Sequence, residues 1–130
     1  MIGPGSKDGS YMDFAQADVL ERLEASDDAA LDRLGFGVIG MSLAGVVERY
    51  NAVEAELAGL SASKVLGKHF FTEVAPCTNN YLVAQRFDDE PRLDATMPYV
   101  FTLRMRPTKV ELRLLKVPLA ARQYILVRRR

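Results

Sequence analysis

Cys77 and His69 are the chain's only cysteine and only histidine, eight residues apart in the stretch HFFTEVAPCTNN. A thiol attacks as its thiolate, which a neighbouring imidazole can generate. Pro76 interrupts the segment between them, however, and no acidic or amide residue at a recognisable spacing would orient the imidazole. A Cys/His nucleophilic site is therefore not the expected use of the pair, and His69 is expected at the surface beside Lys68. One cysteine cannot close an intramolecular disulfide, and with one histidine it cannot complete a structural zinc site. Three uses remain for Cys77: a buried filler, a catalytic thiol, or an anchor for a group that the twenty amino acids do not supply.

Composition narrows the partners. The 130 residues suit one domain, 48% of them are hydrophobic, and 17 basic side chains balance 17 acidic ones. Such a balance argues against nucleic acid or an anionic membrane surface. The only basic run, Arg128-Arg129-Arg130, reads as a solvated chain end. The start, MIGPGSKDGSYMD, lacks the apolar core of a signal peptide, and no window approaches the roughly 18 apolar residues of a spanning helix. The expectation is a cytoplasmic protein without membrane insertion, with residues 1–11 as a flexible extension and 12–130 as a single domain. GFGVIG opens a strand, whereas a dinucleotide fingerprint follows a strand and opens a helix.

The elements that must position Cys77 follow from periodicity. Leu20 with Leu23, and Leu31 with Leu34, mark two short helices between Met12 and Gly35, with Gly35 placed to end the second. Neither is long enough to stand alone, so residues 12–35 form a cap that docks on the rest. Phe36–Met41 and Val46–Tyr50 read as a hairpin around Ala44-Gly45. Asn51 caps a helix that Gly59 closes, Ser61 caps another turn before Gly67, and a helix is expected between Tyr81 and Phe87 ahead of the loop DDEPR. Alternation then marks three strands: Tyr99, Phe101, Leu103 and Met105; Val110, Leu112 and Leu114; Ile125 and Val127. Pro98 makes the first of these an edge strand. The fold class is α+β: a five-stranded antiparallel sheet with short helices on one face and an N-terminal helical cap.

This order resembles the PAS fold, and the segments YNAVE, GKHFFTEVAPCT, PTKVEL and LGFGVI resemble those of the photoactive yellow protein family of blue-light receptors. The resemblance runs from Phe14 to Arg129, ungapped to Cys77, with a shortened loop between Cys77 and Pro107. It implies that Cys77 carries 4-hydroxycinnamic acid (p-coumaric acid) as a thioester, with Tyr50 and Glu54 at the phenol end and Phe70, Phe71, Val74, Phe101 and Met105 lining the pocket. Read as i and i+4 of a helical turn, Tyr50 and Glu54 face one point. Burial would keep Glu54 protonated and able to donate.

The resemblance further implies that light isomerises the chromophore, that Glu54 yields its proton, and that the unpartnered carboxylate loosens the 12–35 cap. The signal would then pass by contact to a downstream signalling protein. Three positions depart from the family pattern: Ala58 for a threonine, Leu60 for an arginine over the phenolate, and Leu103 for a strand tyrosine. They motivate a rival expectation, a PAS ligand-sensing or interaction module without the chromophore. Enzymatic activity is not expected, because no base is placed to activate the thiol.

Overall fold

The computed structural model describes residues 12–102 and 106–130. The extension expected over residues 1–11, together with Leu103 and Met105, lies outside the described residues. In chain order the elements are α1 (Val19–Ala25), α2 (Asp28–Leu31), β1 (Gly37–Ser42), β2 (Val47–Tyr50), α3 (Ala52–Ala58) and α4 (Ala62–Val65). A π-helical turn, Phe70–Val74, and a 3-10 turn, Pro76–Thr78, lead to α5 (Ala84–Asp89), β3 (Leu93–Phe101), β4 (Thr108–Lys116) and β5 (Arg122–Arg129). The strands form one antiparallel sheet in the order β2-β1-β5-β4-β3. The five-stranded α+β expectation holds, and β3, which carries Pro98, is an edge strand.

Both faces of the sheet are covered, which explains the near-continuous apolar run of β5. Ile125 and Val127 join Ile39, Leu112 and Leu114 in the cluster under the helices of the crossover, while Tyr124 and Leu126 join Val38 and Leu115 under the cap. Successive strand residues point to opposite faces, so each face draws on alternate positions. The cap contributes Val19, Leu23, Leu31, Leu34 and Phe36, all buried. At roughly 1.5–3 kcal/mol for each large side chain taken from water, that apolar area holds two helices too short to persist in isolation.

A β-bulge sets which side chains reach which face. Met41 lies opposite Val47 and Gly40 opposite Arg49, leaving Glu48 as an extra residue in β2. The extra residue re-aims the strand. Arg49 points at the cap, and Tyr50, next in sequence, enters the opposite cluster. Gly40 makes room for this on the cap side, where a Cβ would lie 2.9 Å from the Tyr124 ring and 3.1 Å from Arg49 Cβ.

Several boundaries differ from expectation. β3 begins at Leu93, six residues before Tyr99: Leu93, Ala95 and Met97 carry the same alternation back along the strand, with Asp94 and Thr96 on the opposite face, and the pairing with β4 follows. α5 lies three residues later than its expected start. Gly35 does not close α2, whose C-cap is Asp32. Ser61 occupies its N-cap position without a capping bond, its hydroxyl meeting Ser63 instead. Asn51 and Gly59 perform as expected: the Asn51 side chain accepts from the Glu54 amide, and Gly59 ends α3 at φ 71°.

Candidate functional site

Tyr50 and Glu54 converge, though not as two positions on one helical turn. Tyr50 ends β2 and Glu54 sits in the first turn of α3, with Asn51 between them as the cap. Asn51 Oδ1 accepts from the amides of Val38, at 2.9 Å, and Glu54, at 3.0 Å, while its Nδ2 donates to the carbonyls of Leu31 and Phe36 at 2.8 and 3.0 Å. One side chain thus fixes the start of α3 against β1 and the end of the cap. Gly37 supplies the space for Glu54, since a Cβ there would come within 2.2 Å of Glu54 Oε1.

Glu54 is 1% exposed and Tyr50 8% exposed, yet neither Glu54 Oε1 nor the Tyr50 hydroxyl has a hydrogen-bond partner. Buried polar atoms are nearly always satisfied, and each orphan costs about 1–3 kcal/mol. Burial pushes the Glu54 carboxyl up to about 8, so it is protonated at neutral pH. The Tyr50 phenol is raised from its ordinary value first by burial and then by the Glu54 carboxyl beside it. Together they form a buried pair of hydroxyl groups, each able to donate a hydrogen bond.

A cavity of about 410 Å³ opens on Glu54. Glu54, Phe101, Val110 and Val127 form its buried floor, while Glu56, Arg106 and Arg129 stand exposed at its mouth. Phe101 therefore meets Glu54 around one space. Phe70, Phe71 and Val74 are buried in the same apolar cluster as Tyr50 without lining that cavity. Ala58 lines it, whereas Leu60 packs against the cluster.

Cys77 is half-buried in the 3-10 turn and packs against the same cluster, but it does not line the cavity. Its carbonyl is fixed: the Tyr99 hydroxyl donates to it at 2.6 Å and Asn80 Nδ2 at 3.2 Å. Asn80 also donates to the Tyr99 oxygen at 2.8 Å, and its Oδ1 accepts from the Leu82 and Val83 amides. His69 is half-buried rather than fully at the surface. It pairs with Val46 and meets Thr72 Oγ1 through Nδ1 at 3.0 Å, away from Cys77.

Sequence reasoning missed the two arginines that hold the cap. Arg49, 6% exposed, donates to the carbonyls of Leu23 and Ser26, to the Tyr124 hydroxyl and to Asp28. Arg113, 4% exposed, meets both carboxylate oxygens of Asp94 at 2.9 Å and the carbonyls of Phe14 and Gln16 at 2.8 Å. Strand alternation marks Arg113, which stands between Leu112 and Leu114. Nothing in the sequence marks Arg49, because the bulge at Glu48 reverses the parity. Alternation marks Tyr99 only as a strand position beside Phe101, and its hydrogen bond to the Cys77 carbonyl was not foreseen.

The fold and its buried donor pair define a PAS-type sensory domain, the architecture shared with the PAS domain of an HTR-like protein from Haloarcula marismortui (TM-score 0.65, 17% identity, 88% of this chain and all of that one). No family model matches the chain. It is 36% identical over 119 residues to the photoactive yellow protein of Rhodothalassium salexigens, covering 89% of this chain and 95% of that one. It also superposes on the photoactive yellow protein domain of the sensor histidine kinase Ppr from Rhodospirillum centenum, with TM-score 0.77, 37% identity, and coverage of 84% and 98%. The chain belongs to the photoactive yellow protein family, whose members are sensory photoreceptors. Among the described residues, no helix is long and apolar enough to cross a membrane.

Proposed function

We propose that this protein is a cytoplasmic blue-light photoreceptor that holds a 4-hydroxycinnamoyl group as a thioester on Cys77, with Tyr50 and Glu54 as the donors at its phenol end. The observation that carries the reading is the pair of buried, unpartnered polar atoms at Tyr50 and Glu54. They fit a ligand that brings an oxygen acceptor into the core. When bound, the thioester-linked group would supply visible absorption and a double bond that light isomerises.

The chain's own residues account for the rest. Tyr50 and Glu54 orient and stabilise an anionic oxygen by short charge-assisted hydrogen bonds. Phe70, Val74, Phe101 and Met105 are assigned to exclude water. Glu54 holds its proton because burial disfavours the carboxylate, and the proton it releases in signalling comes from that carboxyl. The carboxylate left behind would be a buried charge without a cation, and breaking such compensation costs about 3–5 kcal/mol. Asn51 joins the Glu54 amide to the cap carbonyl of Leu31 and to the carbonyl of Phe36, just after the cap. Strain at α3 thus reaches residues 12–35, which act as the releasable part of one domain spanning 12–130. A downstream signalling protein would read the loosened cap.

The second reading is a PAS ligand-sensing module without covalent chromophore, favoured by the absence of Cys77 from the cavity lining. One experiment separates the two. Purified protein is mixed with an activated 4-hydroxycinnamic acid, and intact mass and visible spectrum are followed through blue illumination and darkness. The photoreceptor gains one hydroxycinnamoyl group on Cys77 and a visible band that bleaches and returns, and Cys77→Ser abolishes both. A protein that gains no mass supports the sensing module.

A further inference from the structure

The cavity above Glu54 carries charge that the proposed donor pair does not use. Its mouth is formed by α3, which brings Glu56, by the segment preceding β4, which brings Arg106, and by β5, which brings Arg129. Neither Arg106 nor Arg129 has a carboxylate within salt-bridge distance among the described residues. The half-buried Arg22, Arg86 and Arg122 and the exposed Arg128 each have one, whereas the exposed Arg92 and Arg130 have none among the described residues. On the floor, Glu54 is neutral and offers an oxygen without a partner. Around the cavity, two guanidiniums therefore face one exposed carboxylate.

Unpaired guanidiniums beside a low-dielectric floor favour an anion there, and their planar forks suit an oxygen anion. We propose that Arg106, assisted by Arg129, is the anion-holding element of this cavity, so that a ligand with an ionisable oxygen near Glu54 is bound as its anion. The inference rests on the preceding proposal that the phenol end of the ligand lies at Glu54, and it assigns a specificity role to a residue outside the buried donor pair. The buried donors favour the anion by hydrogen bonding alone. The arginines at the mouth add a net positive charge to that preference, acting across the cavity where apolar walls limit the screening that an open surface would impose. Arg106 is taken as the stronger of the two, because Arg129 is the last residue of β5 beside the chain end.

The test compares the full-length chain with its Arg106→Gln, Arg106→Lys and Arg129→Gln variants. Each is treated with activated 4-hydroxycinnamic acid, the adduct is verified by intact mass, and its visible band is titrated in the dark at low salt and about 1 M salt. Loss of a nearby cation should raise the phenol's titration midpoint by about one pH unit in Arg106→Gln and by less in Arg129→Gln. Arg106→Lys should restore most of the difference, and high salt should bring the wild type towards Arg106→Gln. An adduct whose midpoint is the same in all four proteins overturns the proposal while leaving the photoreceptor reading intact. Failure to form an adduct counts against that reading instead, and ligand-free protein then decides the matter with 4-nitrophenol as probe. Several-fold weaker binding of the phenolate to Arg106→Gln supports the proposal, whereas equal binding or none overturns it.

Discussion

The two faces of the sheet bury polar groups in opposite ways. Under the cap, Arg49, Arg113, Asn51 and Tyr124 are buried and richly hydrogen-bonded, mostly to backbone carbonyls of the cap and to carboxylates. Under the crossover helices, the Tyr50 hydroxyl and Glu54 Oε1 have no partner, and Gln123 Oε1, opposite Met41, has none either. A fully satisfied polar network rigidifies and specifies one arrangement, while an unsatisfied one is a source of strain that a ligand can relieve. The cap face is thus finished by the chain itself. The other face keeps polar atoms that the chain itself does not pair.

The largest test of this contrast is Arg113→Met. It strands a half-exposed Asp94 and takes the donor from two cap carbonyls. We expect a loss of about 3 kcal/mol in urea unfolding, with faster proteolysis within residues 12–35. On the opposite face, Glu54→Gln should raise the stability of the ligand-free protein. Between the ordinary carboxyl value of 4.5 and about 8, the folded state keeps a proton that the unfolded chain has lost. Stability therefore falls as pH rises through that window, with a slope approaching ~1.4 kcal/mol per pH unit. The variant should flatten that slope and lead the wild type by about 4 kcal/mol at the upper end of the window. A wild-type stability that stays level over this range would show that Glu54 is not protonated.

A matched pair of tyrosines sharpens the contrast further. Tyr124→Phe removes a hydroxyl that donates to Glu24 and accepts from Arg49, and should cost about 1 kcal/mol in denaturant unfolding. Tyr50→Phe removes a hydroxyl with no partner and should be neutral or stabilising by up to about 1 kcal/mol in the ligand-free protein. Equal losses in both would erase the distinction between the faces. The smallest effect is expected at Asp28, whose side chain is 85% exposed although it meets Arg49 at 3.1 Å. Asp28→Asn should change stability by less than about 0.5 kcal/mol, because Arg49 keeps its carbonyl partners.

What the sequence disclosed depended on whether a residue obeyed a local rule. Asn51 and Gly59 follow capping chemistry, Pro98 marks an edge, and Ile125 with Val127 alternate cleanly, so α3 and the sheet were legible. Phe70 and Phe101 were legible as core, and their place in one cluster with Tyr50 followed from the family resemblance. Hidden were features that depend on partners distant in the chain. An arginine is read as exposed unless something reveals its acceptors, and Arg49 finds them on residues more than twenty positions earlier. The early start of β3 is a different case, because Leu93, Ala95 and Met97 alternate with Asp94 and Thr96 as a local rule would read, and only the Arg113 partner of Asp94 needed the sheet. The cavity is set by α3, β5 and the residues around the β3–β4 connection together, and no local pattern reports such a volume.

The single extra residue in β2 has a consequence for how this hairpin can vary. Glu48 acts as a parity bit between Val47 and the pair that follows, Arg49 bound for the cap and Tyr50 for the crossover side. Without it, Arg49 and Tyr50, which as strand neighbours point to opposite faces, would both be delivered to the wrong half of the molecule. The slip could be absorbed only at the turn after β1, where Gly45 is held at φ 89° with no room for a Cβ against His69. An insertion or deletion of one residue here therefore exchanges inside for outside, and drift in hairpin length should be tolerated only in steps that preserve the count between Gly45 and Tyr50.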